Sequence, residues 1–149
     1  MDEVARLLAA MDWVYADGDP AACAELTLRI TAVGRTAKDF LTYSQLVDGV
    51  TFRLQNVAGG EPFDIREWTS LDRAIIGSFL GKIAAGSYQQ GRFLASALVI
   101  GVSSNGPGDG FYTLAEEAGL LGSSGETARL RFWFEQVQLA RAWYAAQAG

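Results

Sequence analysis

Most apolar positions in this chain recur every three or four residues, and one stretch, Phe93–Val102, breaks that rhythm by being apolar almost throughout. From Asp2 to about Asp17, Val4, Leu7, Leu8, Met11, Val14 and Tyr15 keep helical spacing, with Asp2 and Glu3 set against the N-terminal dipole. Asp19-Pro20 then supplies an N-cap followed by proline at the first helical position. Cys23, Leu26, Ile30 and Val33 form the apolar stripe of that second helix, which closes near Gly34. So short a connection predicts an antiparallel hairpin of two helices over residues 1–36.

Farther along, Thr42-x-x-Gln45 is a capping-box pattern that opens a short helix through Leu46 and Val47. Val50–Leu54 and Pro62–Ile65 flank the turn-like Asn56–Gly60, predicting a hairpin over about 50–65. Thr69 or Ser70 caps a long helix that ends near Gly86 or Gly91 and turns Leu71, Ile75, Ile76, Phe79, Leu80 and Ile83 to a core. Gly77 and Gly81, four apart on that helix, predict a close backbone approach.

Phe93–Val102 ends in β-branched residues and reads as a strand buried on both faces. Ser103–Gly110 stops it, because Pro107 has no amide donor and Gly106, Gly108 and Gly110 permit positive φ. Phe111–Ala118 restarts as a helix with Phe111, Leu114 and Ala115 on one face and Gly119 at its C′ position. Ser123-x-x-Glu126 is a second capping box, opening a last helix from about Ser124 to Gln147. Leu130, Trp133, Val137, Ala140 and Tyr144 share its core-facing line, while Phe132, Leu139 and Trp143 lie off that line as a second apolar face. Together these elements predict a mostly helical α+β fold in one domain, 1–149. Its small sheet, with a central strand at about 93–102 and the hairpin at about 50–65, is covered by five or six helices, and the α+β core occupies 42–149.

Ser96-Ala-Leu-Val99, followed by Pro107-Gly-Asp-Gly-Phe111 and the helix Leu114–Gly119, resembles a pattern in uncharacterised bacterial proteins in which "SALV" precedes "PG-x-GF" and a helix. Phe132-Trp133 with Glu135 is similar to their aromatic closing helix, and Thr42-Tyr43-Ser-Gln-Leu46 to their "TY-x-x-L" helix. The resemblance spans roughly the last two thirds of the chain. It implies no established activity and no catalytic residue.

Composition narrows the chemistry. At 149 residues, half of them hydrophobic, the chain can bury a core without covalent staples. A net charge of -5, with Lys38 and Lys82 as the only lysines, opposes non-specific nucleic-acid binding. Cys23 is alone and histidine is absent, so a Cys/His zinc set and a His-based triad are both excluded. Cys23 lies on an apolar stripe among alanines, which reads as a small buried hydrophobe. The acidic Met1-Asp-Glu start and the lack of a ~20-residue apolar span predict a cytoplasmic protein with no membrane partner.

No catalytic residue, metal set or cofactor is assigned. Asp64, Glu67, Asp72, Asp109, Glu116 and Glu117 are acidic by type, yet each also fits a cap, a turn or a solvated face. The loop carrying Gly106, Gly108, Asp109 and Gly110 stands between strand and helix, where a ligand or partner can meet backbone amides, although the P-loop and Rossmann patterns are missing. The leading expectation is a non-catalytic cytoplasmic interaction or accessory protein. Its second apolar face of Phe132, Leu139 and Trp143 would join a homodimer or a protein partner. A small enzyme or small-molecule binder using the 106–110 loop is the alternative, and a winged-helix-like nucleic-acid regulator is the third reading.

Overall fold

In the computed structural model, which describes residues 2–122 and 125–148, the chain is mostly helical with one small parallel sheet. The helices are α1 (Glu3–Ala9), α2 (Val14–Gly18), α3 (Pro20–Gly34), α4 (Tyr43–Val47), α5 (Ser70–Gly91), α6 (Asp109–Glu117) and α7 (Glu126–Ala148). Two strands, β1 (Leu41–Thr42) and β2 (Val99–Ile100), pair in parallel with Leu41 opposite Val99 and Thr42 opposite Ile100. The expected capping box at Ser123-x-x-Glu126 falls partly outside the described residues.

Local chemistry sets most helix starts. Asp19 caps α3 by accepting the Ala22 N–H at 3.1 Å, and its other oxygen accepts the Arg53 N–H at 2.8 Å, so one buried carboxylate ties the helix to the segment after α4. Thr42 with Gln45, and Thr69 with Asp72, form complete capping boxes. Carbonyls at helix ends are taken by arginines. Arg29 donates to the carbonyls of Gln45 and Leu46 in α4 and of Asp48 just after it, and Arg141 on α7 donates to those of Val33 in α3 and of Thr36 and Asp39 after it.

The first predicted helix is broken in two. Its periodicity runs through residues 10–13, but there the backbone leaves the helix and Trp13 lies over Gly81 of α5, so close that a Cβ on that glycine would meet the ring at 2.1 Å. The new N-terminus of α2 has no cap of its own. Ser78 on α5 supplies one, its Oγ accepting the Ala16 N–H at 3.1 Å. Val14, expected inside, is consequently exposed.

Phe93–Val102 is also not the strand its composition predicts. Phe93 to Val99 are all buried, but Ala95–Leu98 is a 3₁₀ turn, only Val99–Ile100 pairs, and Val102 is 75% exposed. The segment runs between α5 and α7, whose side chains take over the work of a ladder. Gln136 Oε1 accepts the Leu94 N–H at 2.8 Å, Ser87 Oγ accepts the Ala95 N–H at 2.9 Å, and Trp133 Nε1 donates to the Ala97 carbonyl at 2.9 Å. The hairpin expected over 50–65 shrinks to one antiparallel bridge, Phe52 to Phe63, whose stacked rings lie 5.8 Å apart, with Phe79 edge-on to Phe52.

On α7, Trp133, Val137, Ala140 and Tyr144 are buried as expected, whereas Leu130 is half exposed. Phe132 belongs to the core and not to an outer face: it is 6% exposed and packs on Phe111 at 5.7 Å. Trp143 is partly buried against Phe93, and Leu139 is 48% exposed. No helix among the described residues is long and apolar enough to cross a membrane.

Candidate functional site

A cavity of about 910 Å³ opens beside α5. Its walls include the break between α1 and α2, with Met11, Asp12 and Trp13, and the loop end and first turns of α6, with Gly108–Phe111, Thr113 and Leu114. Ile76, Gly77, Leu80 and Gly81 of α5 form its base, and Tyr43 and Trp68 close a side. Gly81 admits the Trp13 ring, while the space above Gly77 is open within 4 Å. The predicted close approach therefore occurs at one glycine, and the other leaves cavity volume.

Two walls far apart in sequence are joined by a hydrogen bond. The Tyr43 hydroxyl accepts the Gly108 N–H at 2.8 Å, and a Cβ at residue 108 would crowd that oxygen at 3.0 Å. Burial pushes the Tyr43 phenol up; the Gly108 bond opposes that shift and the Asp109 charge adds to it. The phenol thus stays protonated at neutral pH. Its ring meets Trp68 edge-on at 6.1 Å. Trp68 itself sits at φ 54°, in the left-handed region, where a bulky side chain costs on the order of 1–3 kcal/mol. Strain of that size held at a cavity wall marks a position set by more than local preference.

The structure divides the expected loop. Gly108, Asp109 and Gly110 line the cavity, whereas Gly106 turns back into the loop, its carbonyl accepting the Gly101 N–H at 2.9 Å and the Ser104 hydroxyl at 3.0 Å. The left-handed residue of this turn is Asn105, at φ 52°, and none of Gly106, Gly108 and Gly110 has positive φ. Glycine is required at 108 for approach to Tyr43. At Gly110 an added Cβ meets nothing within 4 Å.

The carboxylates scatter. Asp64 pairs with Arg66 at 2.8 Å on the surface, Asp72 completes the α5 cap, and Asp109 and Glu116 flank Arg129 at 3.6 and 3.5 Å. Arg129 also lies over the Tyr112 ring at 4.8 Å. Glu117 lines the cavity and Glu67 is exposed, so only Asp109 and Glu117 of the six reach the site. Among the described residues no three metal-ligating side chains gather. Cys23 lies away from the cavity wall, half-buried, and burial pushes its thiol up, which suppresses the thiolate.

Sequence reasoning reached the 108–110 wall but missed Trp13, Trp68 and Ser96. The helical periodicity runs across Trp13, and the apolar run that reads as a strand encloses Ser96. The signals available were the Trp13-to-Gly81 size complementarity and the one hydroxyl in the apolar run. Comparison of the chain with protein-family models, curated proteins and solved structures yields no match.

Proposed function

We propose that the protein is a small-molecule-binding module that takes an apolar, ring-containing ligand into the cavity beside α5. The cavity carries the reading: its volume of about 910 Å³ falls within the range of ligand pockets, and its walls are apolar and aromatic with a few polar groups, the usual composition of such sites. The strained Trp68 and the Tyr43–Gly108 bond support it, since both hold aromatic walls in place. A non-catalytic accessory protein inside the cytoplasm that senses or carries its ligand fits this reading.

The test is saturable binding of the neutral dye N-phenyl-1-naphthylamine, read by its fluorescence, in the parent protein and in Gly77→Phe. The parent should bind with one site. Gly77→Phe puts a ring where the cavity floor is open, and should abolish binding with the helical circular dichroism intact. Absence of dye binding in the parent would remove this reading.

A protein-interaction role is the second reading. Leu130 and Phe134, one helical turn apart on α7, are both about half exposed and border a shallow depression with Arg131 and Glu135. Leu139 lies on the helix's other flank, so the apolar surface available to a homodimer or partner is centred on Phe134 and not on Phe132.

A further inference from the structure

Four polar residues are buried among the described residues: Asp19, Ser87, Ser96 and Gln136. Three are engaged. Asp19 accepts two backbone N–H groups, Ser87 bonds the backbone of residues 84, 93 and 95, and Gln136 accepts from Leu94. Ser96 differs. It is 5% exposed and sits between Ala95 and Ala97, which are wholly buried, yet its hydroxyl has no hydrogen-bond partner among the described residues. It lines the cavity. The hydroxyl is not sealed in: among the described residues the one buried side-chain N or O atom without a partner is Arg129 Nε, so the Ser96 oxygen is open to the cavity and its hydrogen-bonding capacity is left to whatever the cavity holds.

We infer that Ser96 is the residue that selects the cavity's ligand, bonding a single polar atom (a hydroxyl, carbonyl or ring nitrogen) carried on an otherwise apolar ring body. The inference rests on the ligand-binding reading above and adds the ligand's chemistry to it. A serine hydroxyl both donates and accepts, so it serves any of these atoms. The rim adds a second restriction. The lining carries the carboxylates Asp12, Asp109 and Glu117 and one guanidinium, Arg73. Although Arg129 stands 3.6 Å from Asp109, it is shared with Glu116 at 3.5 Å, so the net negative field disfavours an anion. The ligand is therefore a neutral or cationic ring compound with one buried hydrogen-bonding atom.

Calorimetric titration of the full chain with naphthalene, 2-naphthol and 2-naphthoate tests this. 2-Naphthol should bind about tenfold or more tighter than naphthalene, because a site built to hydrogen-bond a group rejects the analogue lacking it. 2-Naphthoate should bind more weakly than 2-naphthol. Ser96→Ala should lose the preference for 2-naphthol and leave naphthalene binding unchanged, while its thermal midpoint is no lower than the parent's, since no protein hydrogen bond is removed. Equal binding of naphthalene and 2-naphthol by the parent, or a preference that survives Ser96→Ala, overturns the role of Ser96 and leaves the pocket reading standing. Tighter binding of 2-naphthoate than of 2-naphthol overturns the restriction at the rim. If none of the three probes binds, the pocket reading fails and this inference fails with it.

Discussion

Gln136 on α7 accepts the main-chain N–H of Leu94 at 2.8 Å, where both residues are buried. That bond, with those from Ser87 and Trp133, lets a fully buried apolar segment pass between two helices without a neighbouring strand along most of its length. Gln136→Leu keeps the volume near its present value but leaves the Leu94 N–H unpaired, at a cost of about 1–3 kcal/mol. Urea melts of the two proteins measure it. A loss under about 0.5 kcal/mol would show that the segment finds another acceptor.

The same bond explains why this stretch misleads a reader of the sequence. Burial was legible in Phe93–Val99 because apolar character is local, but the choice between strand and turn depended on donors and acceptors supplied by Ser87, Trp133 and Gln136, far away along the chain. Capping signals suffer no such ambiguity. Asp19-Pro20, Thr42-x-x-Gln45 and the Gly119 terminator each act within one helical turn, and all three appear in the structure, Gly119 at φ 80°. The break after α1 was hidden for the opposite reason: its periodicity is helical, and only the seat offered by Gly81 makes an unwound Trp13 the better solution. Of the site, the sequence exposed the 108–110 wall through its glycines and left the aromatic walls unseen.

Gly77 and Gly81 should respond to the same substitution with opposite signs. At Gly77 an added methyl meets open space on a helix, so Gly77→Ala should stabilise by about 0.5–1 kcal/mol. At Gly81 the methyl collides with the Trp13 ring, and Gly81→Ala should destabilise by roughly 1–3 kcal/mol as Trp13 is displaced. Chemical denaturation reads both, and Trp fluorescence should shift in the second variant. Equal effects at the two positions would contradict the seat.

Alkaline pH should weaken the fold before it breaks any ion pair to arginine. Burial raises the phenols of Tyr43, Tyr112 and Tyr144 above their ordinary value of 10.0. The folded state therefore holds more protons than the unfolded one, and their contribution is whole below pH 10.0 and lost as pH rises through the raised values. Denaturation midpoints should be level up to about pH 9 and then fall, with Tyr144→Phe falling less steeply. A midpoint that rises above pH 10.0 would reverse the sign and refute the assignment.

Two phenylalanines on α7, two residues apart, separate the core from any interface. Phe132 packs on Phe111 and is 6% exposed, so Phe132→Ala should cost about 3–5 kcal/mol whatever the oligomeric state. A charge at 132 would unfold the chain and say nothing about association. Phe134 is 52% exposed and stacks only its inner face on Trp133, at 5.3 Å. Phe134→Glu should leave the melting transition close to the parent's, because its ring is already half in water. If the flank of Leu130 and Phe134 joins two copies, light scattering at micromolar concentration should give a dimer for the parent and a monomer for Phe134→Glu. Leu139→Glu, on the opposite flank, should then remain dimeric. A parent protein that is monomeric across that range removes the homodimer.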